Sequence, residues 1–117
     1  MSSEFNAQSR RAVYRITYPI PARPSLIVGE DKYPIVDCSE LGLRYEAPPS
    51  HRPDVGSTTE GVIHFRRGVE LPVAGEVVRL QDGTVALWFG RMGIPFGEII
   101  AEQKYLRASG FVLGEPE

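Results

Sequence analysis

Apolar and polar residues alternate in short runs along most of this chain, the pattern of strands that turn one face to a core and the other to solvent. The alternation predicts strands over Tyr14–Tyr18, Pro24–Val28, Tyr33–Val36, Leu43–Ala47 and Glu60–Phe65. Two further runs, Gly75–Gln81 and Thr84–Phe89, flank the pair Asp82-Gly83. Such a pair suits a two-residue type I′ hairpin turn, because both of its positions must accept positive φ. The period changes only near the C-terminus. There Phe96, Ile99, Ile100 and Leu106 fall close to helical spacing, Ala101, Glu102, Gln103 and Lys104 favour helix, and Gly110 supplies a stop. Pro19, Pro21 and Pro24 suit a bend or a strand edge, and Ala47–Ser57, with three prolines, reads as a surface connection. About six short strands and one terminal helix predict a small antiparallel barrel with the helix covering an open end or face.

Composition narrows the setting. The 117 residues fit one domain, and 42 % hydrophobic with 24 % charged residues is enough to bury a core. We expect a flexible tail over 1–9, a domain over 10–110 and a second tail over 111–117. No apolar run approaches the roughly 20 residues of a membrane helix, and the start MSSEFNAQSRR lacks the apolar stretch of a signal peptide. A cytoplasmic protein with no membrane insertion is expected. Cys38 is the only cysteine, so no internal disulfide can form, and it reads as a small buried apolar residue. A formal net charge of −2 argues against DNA as a partner, which needs a broad basic footprint. Locally the balance differs: Arg10, Arg11, Arg15 and Arg23 lie between Phe5 and Gly29 with no acidic residue among them, a cationic patch that would draw an anion.

Two motifs make the reading specific. Arg11-Ala12-Val13-Tyr14-Arg15 fits Arg-x-x-x-Arg, and Asp37-Cys38-Ser39-Glu40-Leu41-Gly42 fits Asp/Asn-x-Ser-x-x-Gly. Either alone is a common pattern. Together, in this order and strand context, they resemble the PilZ domain over nearly the whole chain. The resemblance implies a six-stranded antiparallel β-barrel of the PilZ-like split type with a C-terminal α-helix. It also implies a bacterial receptor for the second messenger cyclic di-GMP, with no catalysis, metal or cofactor of its own. The ligand-binding residues it implies are Arg10, Arg11, Arg15, Asp37, Ser39 and Gly42. An arginine immediately before the motif, here Arg10, is associated in that family with a stacked pair of ligands, so two cyclic di-GMP molecules per protein are expected.

The residue types suit such a ligand, which carries two phosphates and two guanines. A guanidinium forms bidentate bonds with phosphate or with guanine O6 and N7, and it stacks on a purine face as lysine does poorly. Asp37, placed in a turn, can accept from guanine N1–H and its exocyclic amine, Ser39 can donate or accept, and Gly42 offers positive φ or a close backbone approach. Without the arginines, Asp37 and Ser39 would be read as turn caps. The sequence departs from the family pattern at Cys38, where a bulky aliphatic is frequent, and at Glu40-Leu41, where a small residue is common. Glu40 would repel phosphate if its side chain pointed inward.

Other candidates carry less. Trp88 falls on the sheet face opposite Leu87 and Phe89, where packing under the helix is favoured over stacking on a purine. Arg79 and Arg91, near the second hairpin, could add phosphate contacts but as isolated strand-end arginines read as solvated, and His51 and His64 read as surface histidines with no metal-ligand spacing. The expected action is a binding one: cyclic di-GMP orders the N-terminal arm against the barrel and alters the surface shown to a downstream protein. The alternative is a PilZ-like adaptor that binds no nucleotide and works through protein contacts. A small barrel enzyme using a flavin or nucleotide would need a second domain or a dimer to complete its pocket.

Overall fold

The computed structural model describes residues 15–110. The tails expected over 1–9 and 111–117, together with Arg10 and Arg11, lie outside the described residues. Among the described residues, seven strands and one α-helix follow in order: β1 (Ile16–Thr17), β2 (Ser25–Val28), β3 (Asp31–Cys38), β4 (Gly42–Glu46), β5 (Thr58–His64), β6 (Glu70–Gln81), β7 (Thr84–Trp88) and α1 (Phe96–Ala108), with a 3-10 turn at Ile20–Ala22. All pairings are antiparallel, running β3-β2-β5-β6-β7-β4, and β4 returns to β3. The result is the expected closed six-stranded barrel, to which the two-residue β1 adds on β3.

Two long strands close the ring by changing partner midway. Asp31–Pro34 of β3 pair with β2, and Ile35, Asp37 and Cys38 pair with β4. Glu70–Glu76 of β6 pair with β5, and Glu76 onward with β7. The first half of β6, Glu70–Ala74, was not expected from the sequence, because Leu71-Pro72 breaks the run of β-formers there. Asp82 and Gly83 both have positive φ, 54° and 78°, as the type I′ turn requires.

Leu26, Ile35, Leu43, Tyr45, Ile63 and Val77 fill the barrel at 0–2 % exposure, and Ile99 and Leu106 of α1 seal it. The helix differs from expectation at one end. Phe96 is 45 % exposed, and the third buried position is taken by Glu102, at 2 %. A buried carboxylate must be paired. Glu102 accepts from the Tyr18 hydroxyl at 2.5 Å and from Arg67 Nε at 2.6 Å, while Glu98 also pairs with Arg67. Cys38, buried as expected, lies 3.6 Å from the same Tyr18 hydroxyl. Burial pushes its thiol up to about 12 and raises the Tyr18 phenol as well. α1 is thus fastened to the barrel by a polar cluster as well as by its apolar stripe. At Gly110 φ is 84°, the left-handed geometry that ends a helix.

Candidate functional site

Two register shifts shape the outer face of the sheet. Between Ile35 and Asp37 β3 advances two residues while β4 advances one, and between Val77 and Arg79 β6 does the same against β7. Each is a β-bulge, at Val36 and at Val78, and a bulge reverses the in–out alternation that follows it. Strict alternation from the buried Ile35 and Val77 would send Asp37 and Arg79 inward. With the bulges, Asp37 pairs with Arg44, Arg44 with Ala86 and Ala86 with Arg79, one row across four strands on the outside of the barrel. The neighbouring row sets Gly42 opposite Trp88.

Asp37 is the electrostatic centre. It lies in β3 rather than in the expected turn, and its side chain is 2 % exposed. Its Oδ1 accepts from Arg15 Nη1 at 3.2 Å, and its Oδ2 accepts from Arg44 Nε at 2.8 Å and Nη2 at 2.6 Å. A carboxylate this deep is stable because charged donors take up its lone pairs. Hydrogen bonding to Asp37 in turn holds the Arg44 pKa above its ordinary value. Both guanidinium groups stay open to solvent, with side-chain exposures of 59 % for Arg15 and 42 % for Arg44. Asp37 therefore acts as a buried anchor that fixes two cations at the surface.

The turn after β3 is held just as firmly. Ser39 Oγ accepts from the Leu41 amide at 3.2 Å and the Ser39 amide donates to the Gly42 carbonyl at 2.8 Å, so this 3 % exposed serine caps its own turn. The Glu40 and Leu41 carbonyls accept from the amides of Ile94 and Phe89, which ties the turn to the segment leading into α1. Gly42 is required for close approach, not for positive φ: a Cβ there would stand 2.2 Å from the Leu87 carbonyl oxygen. Gly93 answers it on the other side, where a Cβ would meet the Glu40 carbonyl oxygen at 1.9 Å.

These elements border a groove of about 500 Å³ lined by Arg15, Asp37, Ser39 and Gly42, and by Arg44, Arg79, Trp88 and their neighbours. Of the six site residues predicted from sequence, the structure gathers the four that it describes. Glu40 does not line the groove. Arg44 was missed, since nothing in the pattern distinguishes it from any outward strand residue until its register against Asp37 is known. Trp88 corrects an expectation: it is 50 % exposed and lines the groove instead of packing beneath α1. Arg79 lines it too, whereas Arg91 does not.

Elsewhere, His51 stacks on Tyr33 with ring centroids 4.5 Å apart and shares a 2.8 Å hydrogen bond with the Tyr45 hydroxyl, so it is half-buried rather than a free surface histidine. Among the described residues no group of three or more His, Cys, Asp or Glu side chains could hold a metal ion, and no helix is long and apolar enough to cross a membrane. A family model described as PilZ domain matches residues 8–108. No curated protein matches the chain.

Proposed function

Because the chain belongs to the PilZ family, whose model spans residues 8–108, we propose that it is a receptor for cyclic di-GMP and binds the nucleotide in the groove beside Asp37. The observation that carries this reading is the 3.2 Å contact of Arg15 with Asp37, which joins the end of one motif to the start of the other across 22 positions. Two solvent-open guanidinium groups held by one buried carboxylate give phosphate or guanine a rigid cationic face. Arg10 and Arg11 would complete that face on ligand binding, and the ordered arm would present a changed surface to a downstream protein. The size of that change is bounded by the difference in ligand affinity between the two states. A second reading, an adaptor that binds no nucleotide, draws on the fact that Asp37 is already satisfied at both oxygens by protein groups.

Isothermal titration with cyclic di-GMP separates the two. The receptor reading expects saturable binding of two molecules per chain in wild type, weakened in Arg15→Ala and Arg11→Ala. A stoichiometry of one that Arg10→Ala leaves unchanged removes the paired-ligand element. No binding heat at any concentration favours the adaptor.

A further inference from the structure

Three features of the outer face formed by β4, β7 and β6 lie beyond the two family motifs and share one small area. Trp88 and Ala86, two residues apart on β7, face the same way, and Arg44 and Arg79 flank Ala86 from the strands on either side. Ala86 is 8 % exposed although it points out of the barrel, so longer side chains stand around it and make it a floor. Gly42, opposite Trp88, has no side chain to cover the indole from the β4 side. The indole is left half exposed, its six-membered ring on the Gly90 side, with a cation diagonal to Trp88 on each side.

The dimensions decide what such a shelf can take. Adjacent strands lie about 4.8 Å apart, so Arg44 and Arg79, separated by β7, rise from backbones roughly 10 Å apart. That gap admits a phosphate within reach of both guanidinium groups while a planar base lies on the indole. An exposed tryptophan in a cleft with cationic walls is poorly explained by packing and well explained by a stacked purine. Among the described residues Arg79 enters no ion pair, so its charge is free for a ligand. The bulge at Val78 is what turns Arg79 outward, and bulges commonly re-aim a side chain beside a site. Glu76, also opposite Trp88, does not line the groove, so the acidic side chain of that row stands apart from the Arg44–Arg79 pair.

We propose that Arg44, Arg79 and Trp88 form a base-and-phosphate subsite in which a guanine stacks on Trp88 and its adjoining phosphate is shared by Arg44 and Arg79. This rests on the receptor reading above and extends its site from the β3–β4 side of the barrel across to β6.

Trp88 is the only tryptophan in the chain, so its emission reports on the shelf alone. Saturating wild-type protein with cyclic di-GMP is expected to quench that emission, with a midpoint that matches calorimetry. Trp88→Ala is expected to bind roughly tenfold more weakly, as loss of one aromatic stacking partner does, and Trp88→Phe to recover most of the loss. Arg79→Ala is expected to weaken binding several-fold and to lower its salt dependence. Circular dichroism checks that each variant is folded. If calorimetry shows binding while Trp88 emission stays unchanged, or if Trp88→Ala binds as wild type does, the shelf is not a subsite and the receptor reading stands. If wild type shows no binding at all, both are overturned.

Discussion

Asp37 and Arg44 face each other across the β3–β4 ladder, and among the described residues the Arg44 guanidinium supplies two of the three hydrogen bonds that the Asp37 carboxylate accepts, with Arg15 supplying the third. The two arginines are therefore unequal. Arg44→Ala would leave a buried carboxylate short of two partners and should cost about 1–3 kcal/mol of stability. Arg15→Ala removes one bond at an exposed side chain and should cost no more than about 1 kcal/mol. Urea denaturation of the two variants measures the difference; equal losses would show that Arg44 does not anchor Asp37.

Arg15→Ala should weaken cyclic di-GMP binding by about 1–3 kcal/mol with the barrel intact, the usual size of a bidentate contact. Arg15→Lys should recover little of it, because an ammonium lacks the planar fork. Titration calorimetry on folded protein is the measurement, and wild-type affinity in Arg15→Ala would contradict the assignment.

Gly42 should tolerate no side chain. A methyl group placed 2.2 Å from the Leu87 carbonyl oxygen forces β4 and β7 apart, so Gly42→Ala should destabilise by about 1–3 kcal/mol or more. Gly97→Ala is the control, since a Cβ there meets nothing within 4 Å. Comparable melting temperatures for the two variants would refute the close-approach account.

Alkaline pH should loosen the fold. Burial raises the Cys38 thiol from its ordinary 9.0 to about 12, and the Tyr45 phenol from 10.0 to about 12. The unfolded chain then loses these protons at lower pH than the folded one, so the folded state binds more protons between about pH 9 and 12 and stability falls across that window. The contribution is whole below about pH 9. Melting temperature followed from pH 7 to 11 should fall above pH 9, and less steeply in Cys38→Ala. At pH 8 the native thiol should resist a disulfide reagent that labels the unfolded chain rapidly.

Glu102 anchors α1, and removing it takes away one of the two carboxylates that Arg67 pairs with and the acceptor of the buried Tyr18 hydroxyl. Glu102→Ala should cost about 1–3 kcal/mol or more, the penalty of leaving buried donors without their acceptor. Glu98→Ala should cost less, because Glu98 is 31 % exposed and its loss leaves Arg67 still bonded to Glu102. Chemical denaturation of both variants checks the order.

The barrel was legible because turn chemistry and alternation agreed, as at Asp82-Gly83, where the φ values match the turn that the residues demand. The motif residues were legible because they recur in a family. What stayed hidden depended on register. Arg44, Arg79 and Trp88 become one surface only through bulges at Val36 and Val78, and no local pattern marks a valine that will be skipped by the ladder. Phe96 was misplaced, and the burial of Glu102 passed unseen, for a related reason: apolar spacing alone favours Phe96 on the core face, but Tyr18 and Arg67, distant in sequence, make the carboxylate the better fit.

The Ser39–Gly42 turn cannot behave as an independent flap. Its two carbonyl ties to Phe89 and Ile94 act as guy-ropes, so a ligand that levers the turn must tug on the run that feeds the helix, and Gly93 leaves no slack between them. Strain applied at the mouth of the groove would be felt first at the root of the helix.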